Sequence, residues 1–281
     1  MPELPEVEFA RACLDRWLGG SVLARAEEDR TRVTRATPAA AFAGLAGHRV
    51  VAVERRGKWL LLRFEGEIGL LAHLGMTGKF ELTMPDEAPP RWSRARFVRG
   101  DGAVVHYRDP RQFGRLVVAP LPELLQNDPL ASLGPDAWDT PIGETLAQRL
   151  ARSARTVKDV LMDQTVLAGL GNIQVTEALF LARIHPSRKA KSLAPAEIAS
   201  LRKAVRASLR RTLAMNRGDK ITYVEESKRI ENPFHIYGKA GKPCPRCGTI
   251  VRKVTISGRT TAFCPKDQPR RSPPSGRQAR R

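Results

Sequence analysis

The hydrophobic period of this chain changes twice, and the order of those changes limits the folds open to it. Between about residues 49 and 118 the apolar residues come in short runs at 50–53, 59–64, 68–72, 95–98, 103–107 and 116–118. Gly57, Gly66, Gly69 and Gly100-Asp101-Gly102 punctuate them. Close-spaced strands with tight turns predict an antiparallel sandwich or barrel. Residues 120–141 are rich in Pro, Asp and Gly and read as an interdomain connection. Beyond them the period is helical, with helices expected at 145–150, 157–162, 173–182 and 195–215. In the last, Ile198, Leu201, Val205, Leu209 and Leu213 form one stripe. A further short helix is expected at the amino end, where Pro5 marks a first turn and Val7, Ala10, Leu14 and Trp17 recur until Gly19-Gly20. No internal repeat is present.

Charge narrows the partners. The 281 residues hold 48 Lys and Arg against 29 Asp and Glu, a net charge of +19 that favours polyanions: DNA, RNA or an anionic membrane. Residues 239–281 contain 12 basic residues and one acid, Asp267. The last twelve residues carry five arginines with Pro273, Pro274 and Gly276 and read as a disordered basic tail. No apolar run approaches the ~18 residues of a spanning helix. Glu3, Glu6 and Glu8 replace the basic-then-apolar start of a signal peptide. Spanning a membrane and secretion are poor readings. Four cysteines, one of them the isolated Cys13, do not make a disulfide scaffold, whereas Cys244, Cys247 and Cys264 suit an intracellular metal site.

The start Met1-Pro2-Glu3-Leu4-Pro5-Glu6 carries possible chemistry. Met1 before a small residue is expected to be removed, leaving Pro2 as a free secondary amine. An α-amino group has a pKa near ~7.7–8.0, so part of it is neutral and nucleophilic at pH 7. Its attack on a sugar C1′ gives a cationic iminium that acidifies the C2′ proton, and Glu3 and Glu6 could move protons around it. By itself the segment reads as a plain helix start.

Three more segments bear on that choice. Arg55-Arg56-Gly57-Lys58-Trp59 is followed by His73-Leu74-Gly75-Met76-Thr77-Gly78, then by Asp109-Pro110-Arg111-Gln112-Phe113-Gly114. With the amino terminus, Leu170-Gly171-Asn172-Ile173, Ile184-His185-Pro186, the cysteine cluster and Arg259, they resemble the bacterial formamidopyrimidine-DNA glycosylase family, the Fpg/Nei group of base-excision repair enzymes. The resemblance runs from residue 2 to about 268. Leu4 is similar to the Fpg branch, which acts on oxidised purines; the Nei branch usually has Gly there.

The resemblance implies an α+β multidomain chain: an amino-terminal antiparallel β-sandwich with its own helix (2–130), a linker (131–150), a helical helix–two-turn–helix domain (151–237), a β-hairpin zinc finger (238–268) and the tail (269–281). It implies that Pro2 is the Schiff-base nucleophile, Glu3 the general acid/base with Glu6 beside it, and Lys58 a phosphate contact and elimination residue. Met76, Arg111 and Phe113 match residues that fill the gap left by an extruded nucleotide, and extrusion costs a few kcal/mol of stacking and pairing. His73 falls within the same matched segments and is expected at the DNA. Asn172, opening a helix, would grip a phosphate, act as a cap, or both. Arg259 at a hairpin tip would contact phosphates at the lesion and assist the second elimination.

The cluster Cys244-x2-Cys247-x16-Cys264-x2-Asp267 has zinc-ribbon spacing except at its last position, where the family has Cys. One structural zinc held by three cysteines and Asp267 is expected, with a metal-free relic as the other reading. Gln112 stands where a second Arg is common. Trp92-Ser93-Arg94 replaces a His-x-His stretch, and Arg94 could supply its phosphate contact. Residues 218–237, with Thr222, Tyr223, Glu225 and Glu226, look short for the loop over a flipped base. The expected function is removal of 8-oxoguanine and formamidopyrimidines from double-stranded DNA, with nicking at abasic sites by β,δ-elimination. No organic cofactor is needed. A cytoplasmic, nucleoid-associated monomer is expected. The alternatives are a Nei-like enzyme for oxidised pyrimidines, a non-catalytic binder of damaged DNA, and a zinc-ribbon module joined to an unrelated enzyme.

Overall fold

The structure is a computed structural model that describes residues 2–139, 144–215 and 232–270. It divides into two compact units: the first runs to Leu133 and takes in the stretch from Thr212, and the second runs from Gly134 to Arg211 and takes in the described residues from Asn232 on.

The first unit opens with helix α1 (Leu4–Leu18). Pro5 lies in its first turn, where a missing N–H costs nothing, and its buried face is Leu4, Val7, Ala10, Leu14 and Leu18. Then come β1 (Leu23–Glu28), α2 (Ala39–Ala43), β2 (Val50–Arg56), β3 (Trp59–Phe64), β4 (Ile68–His73), β5 (Lys79–Thr83), β6 (Ser93–Arg99), β7 (Val104–Arg108), β8 (Arg115–Pro120) and α3 (Leu121–Gln126). The strands make two antiparallel four-stranded sheets, ordered β1-β6-β7-β5 and β2-β3-β4-β8. The open sandwich, not the barrel, is the form adopted. One apolar cluster unites both sheets with α1, including Val7, Leu14, Leu23, Phe64, Leu70, Phe97 and Leu116.

The second sheet is covered on its outer face too, where Leu61 and Leu71 meet Leu121, Leu124 and Leu130. Burial on both faces explains why 59–64 and 68–72 read as near-continuous apolar runs rather than alternating ones. Residues 121–130 therefore belong to the sandwich and not to a connection. Strands β1 and β5 were not expected. In β1 a register shift between Leu23 and Arg25 breaks the alternation, and in β5 only Phe80 is buried.

The second unit holds α4 (Glu144–Arg152), α5 (Val157–Met162), α6 (Asn172–Leu181) and the start of α7 (Pro195–Met215). Helix α4 lies partly inside the expected 131–150 linker. Helix α6 is buried all round, so its polar residues need partners. Gln174 accepts from the Ser208 hydroxyl at 2.6 Å. Glu177 accepts from the main-chain N–H groups of His235, Ile236 and Tyr237. Burial opposes its charge, yet these bonds and the His235 ring hold its pKa below the usual range. In α7, Ile198, Leu201, Val205 and Leu209 are buried as the stripe predicts. The unit also holds a hairpin of β9 (Arg252–Ile256) and β10 (Arg259–Phe263), whose small core rests on Phe180 of α6.

Candidate functional site

Pro2 and Glu3 are buried at the head of α1. Glu3 is the N-cap, in a reciprocal capping box with Glu6: its carboxylate takes the Glu6 N–H, and the Glu3 N–H donates to Glu6 Oε2 at 2.9 Å. The box fixes the direction in which the chain enters the helix. Burial, reinforced by the adjacent Glu3 carboxylate, pushes the pKa of Glu6 up to about 7. Glu6 can therefore both donate and accept a proton near neutral pH.

An ion pair one turn on positions this helix. Arg55 Nε in β2 meets Glu8 Oε2 at 2.8 Å, and the Arg55 side chain is only 1% exposed. Arg55 also donates to the Gly57 carbonyl in the turn that carries Lys58. Gly57 has φ +58°, a conformation open to glycine without strain. Glu8 thus links the helix of Pro2 and Glu3 to the hairpin of Lys58. Close by, Trp59 and His73 pair across β3 and β4 with ring centroids 4.6 Å apart. Burial, then the charges of Lys58 and Arg115, lower His73 to a pKa of about 4. The neutral ring accepts the Gly75 N–H at Nδ1.

Met76 and the Arg111–Phe113 segment lie on two neighbouring loops held together by Asp109. Its buried carboxylate accepts from the Thr77 hydroxyl, the Arg111 N–H and the Gly114 N–H. Glycine lets the loops touch: a Cβ on Gly75 would lie 2.4 Å from the Phe113 carbonyl, and one on Gly114 only 1.7 Å from the Tyr107 hydroxyl. Phe113 is 50% exposed, and the Arg111 guanidinium lies over its ring at 4.8 Å. Arg94, expected to be a phosphate contact, donates from Nε to the Asp109 carbonyl and so braces this loop. Beside Phe113 is a cavity of about 450 Å³ lined by Arg32, Arg35, Ala36, Gln112, Gly114 and Arg115. Arg32, Arg35 and Arg115 are exposed and form no ion pair among the described residues.

In the second unit Asn172 is the first helical residue of α6 and not its cap, which is Gly171. Its Nδ2 instead donates to the Thr260 carbonyl at 3.0 Å, while its Oδ1 is buried without a partner among the described residues. Two more bonds hold the same hairpin: Ser257 Oγ to Asp159 Oδ1, and the fully buried Lys158 to Thr261. Ser257 and Gly258, both with positive φ, make the two-residue turn, and Arg259 projects exposed beside it. Lys158, Asp159 and Thr261 were missed in the sequence because their positions only meet in space.

The sulfurs of Cys244, Cys247 and Cys264 lie within 4.8 Å of one another. Zinc–thiolate bonds of ~2.3 Å require sulfurs about 3.8 Å apart, so the trio fits one structural zinc ion. Asp267 does not join it. Its carboxylate is engaged by Arg246 at 2.7 Å and Arg183 at 3.4 Å, and only its N–H turns to the cluster, donating to Cys264 Sγ. Of the expected Cys3Asp set, the described residues bring together the three cysteines; a fourth ligand from Asp267 is not shown.

Three segments match described families: "Formamidopyrimidine-DNA glycosylase N-terminal domain" over residues 1–116, the "H2TH domain" of the same enzyme over 133–224, and "Zinc finger found in FPG and IleRS" over 241–270. A curated relative, the formamidopyrimidine-DNA glycosylase of Bacillus cereus, is 37% identical over 276 residues, covering 96% of this chain and all of the relative. The chain belongs to the formamidopyrimidine-DNA glycosylase family. Solved family structures agree in fold. Lactococcus lactis Fpg bound to abasic-site DNA superposes with a TM-score of 0.85 at 29% identity, covering 95% of this chain and 99% of that one. MutM bound to carbocyclic 8-oxo-G DNA gives 0.85 at 30%, covering 95% and 100%. The family's α+β architecture of sandwich, helical domain and finger is the one seen here. Thr222, Tyr223, Glu225, Glu226 and the carboxy-terminal tail from Arg271 lie outside the described residues.

Proposed function

We propose that this chain is a bifunctional DNA glycosylase and AP lyase of base-excision repair, acting on oxidised purines in duplex DNA. The observation that carries the reading is the buried Pro2–Glu3 head of α1, pinned through Glu8–Arg55 to the hairpin of Lys58. With Met1 removed, the Pro2 nitrogen attacks C1′ of an extruded deoxyribonucleotide. The N–C1′ bond forms, the glycosidic bond breaks, and the base leaves with a proton. The Pro2 nitrogen loses its own proton, and ring opening gives the iminium, which acts as an electron sink. Removal of a C2′ proton then expels the 3′ phosphate, and a second elimination expels the 5′ phosphate. Glu3 is the proton-transfer group at the sugar. Glu6, with its raised pKa, is a reserve of protons beside it. Lys58 and Arg259 meet phosphates. Cys244, Cys247 and Cys264 would hold a zinc ion that crosslinks the finger presenting Arg259.

Met76, Arg111 and Phe113 occupy the vacated stack, with the exposed Phe113 ring as the wedge. The three arginines by the neighbouring cavity take backbone phosphates, replacing charge that Gln112 does not provide. The L. lactis and MutM complexes, with abasic-site and 8-oxo-G DNA, support this substrate class.

Borohydride trapping on 8-oxoguanine and abasic duplexes tests the reading. A covalent adduct mapped by mass spectrometry to Pro2 is expected, and retention of Met1 should abolish it. An adduct on another residue, or none, overturns the lyase. A panel including oxidised-pyrimidine duplexes decides the lesion, with faster excision of 8-oxoguanine expected.

A further inference from the structure

The residue that departs from zinc-ribbon spacing has acquired another set of partners. Asp267 is almost buried, its side chain 8% exposed, and both its oxygens face guanidinium groups. One belongs to Arg246, which lies inside the Cys244–Cys247 knuckle and reaches the end of α6. There it donates to the Phe180 and Leu181 carbonyls and lies 4.3 Å above the Phe180 ring. These are among the last carbonyls of the helix, where a cation complements the helix dipole. The other belongs to Arg183, the residue just past the helix cap. Its N–H bonds to the Phe180 carbonyl and the Ile184 N–H to that of Leu179, the pattern of a Schellman turn. Its φ of +58° is a conformation that such turns usually give to glycine. Here the position holds an arginine whose Nε reaches Asp267. Next in sequence, Gln268 bonds to the Cys264 N–H and the Ile184 carbonyl.

We propose that Asp267 is a clasp that seats the finger on the carboxy end of α6, and that the zinc is held by three thiolates with its fourth position open to a solvent molecule or another small exogenous donor. Among the described residues no further Cys, His, Asp or Glu joins the three sulfurs. Metal retention and docking of the finger then fall to different groups. A carboxylate held by two guanidiniums is a poor candidate to leave them for a metal that already has three thiolates. The proposal stands apart from the glycosylase reading, since neither its basis nor its test involves the reaction.

The test uses the full-length protein loaded with Co²⁺ in place of zinc, read by its visible absorption bands, together with metal analysis and amide hydrogen exchange. In Asp267→Ala and Asp267→Asn the bands and the one-to-one metal content should match the wild type, while exchange in residues 180–184 accelerates on the order of tenfold or more. Arg183→Gly relieves the left-handed backbone yet removes one guanidinium, so it should show the same faster exchange without a band change. Added imidazole or 2-mercaptoethanol should shift the wild-type bands by entering the open position. Asp267→Cys should close that position and make the protein insensitive to the added donor. Altered bands or lost metal in Asp267→Asn would make Asp267 a ligand and overturn the proposal. So would unchanged exchange in both Asp267 variants, or wild-type bands indifferent to imidazole and thiol.

Discussion

Thr77 donates its hydroxyl proton to the Asp109 carboxylate at 2.6 Å, across 32 residues of chain. The bond joins the turn of Met76 to the loop of Arg111 and Phe113. Thr77→Val removes one charge-assisted donor and is expected to cost about 1.5–3 kcal/mol of stability. Asp109→Ala removes the acceptor for all three donors and costs more. On lesion duplexes with varied opposite bases, Thr77→Val should lose discrimination while retaining most of its affinity. A melting curve identical to the wild type would show that the hydroxyl does not hold the loops.

The Glu8–Arg55 pair is predicted to respond asymmetrically. Glu8→Ala leaves a buried guanidinium without that carboxylate and should cost about 3–5 kcal/mol. The double variant Glu8→Leu with Arg55→Met replaces both charges by apolar groups and should recover much of the loss. Denaturant unfolding measures both. Recovered stability without recovered trapping on abasic DNA would show that the pair also serves the orientation of Pro2 and Glu3.

Glu6 gives a pH signature. Its folded pKa of about 7 lies above the ordinary carboxylate value, so the folded state prefers the protonated form. The associated stability is complete below about pH 4.5 and is lost as pH rises through about 7. His73, held down to about 4, works in the opposite direction and adds stability as pH rises from about 4 to 6.5. Glu6→Gln keeps an acceptor for the Glu3 N–H and removes only the first effect. Melting temperatures from pH 4.5 to 8 should fall more steeply for the wild type than for Glu6→Gln. Parallel curves would place the Glu6 pKa near its ordinary value.

The arginines around the cavity beside Phe113 should appear in the salt dependence of DNA binding. Each phosphate contact contributes about 0.9 to the slope of log affinity against log salt. Arg32→Ala with Arg35→Ala should therefore reduce the slope by roughly 1.8. An unchanged slope on intact and lesion duplexes would remove the cavity from the DNA interface.

Much of this protein follows from local pattern. The continuous run 59–64 reappears unchanged as β3, and the spacings at 157–162 and 195–215 reappear as α5 and α7. Periodicity and the spacing of three cysteines are properties of neighbouring residues, so the chain declares them without its fold. The partners of Arg94, Asn172 and Asp267 were not declared in this way. Their alternatives, phosphate, helix cap and metal, were all chemically sound for the residue types. Only the tertiary structure brought the Asp109 carbonyl to Arg94, the Thr260 carbonyl to Asn172, and Arg183 and Arg246 to Asp267. A polar side chain takes the strongest complementary group within reach, and that reach is set by packing between segments distant in sequence.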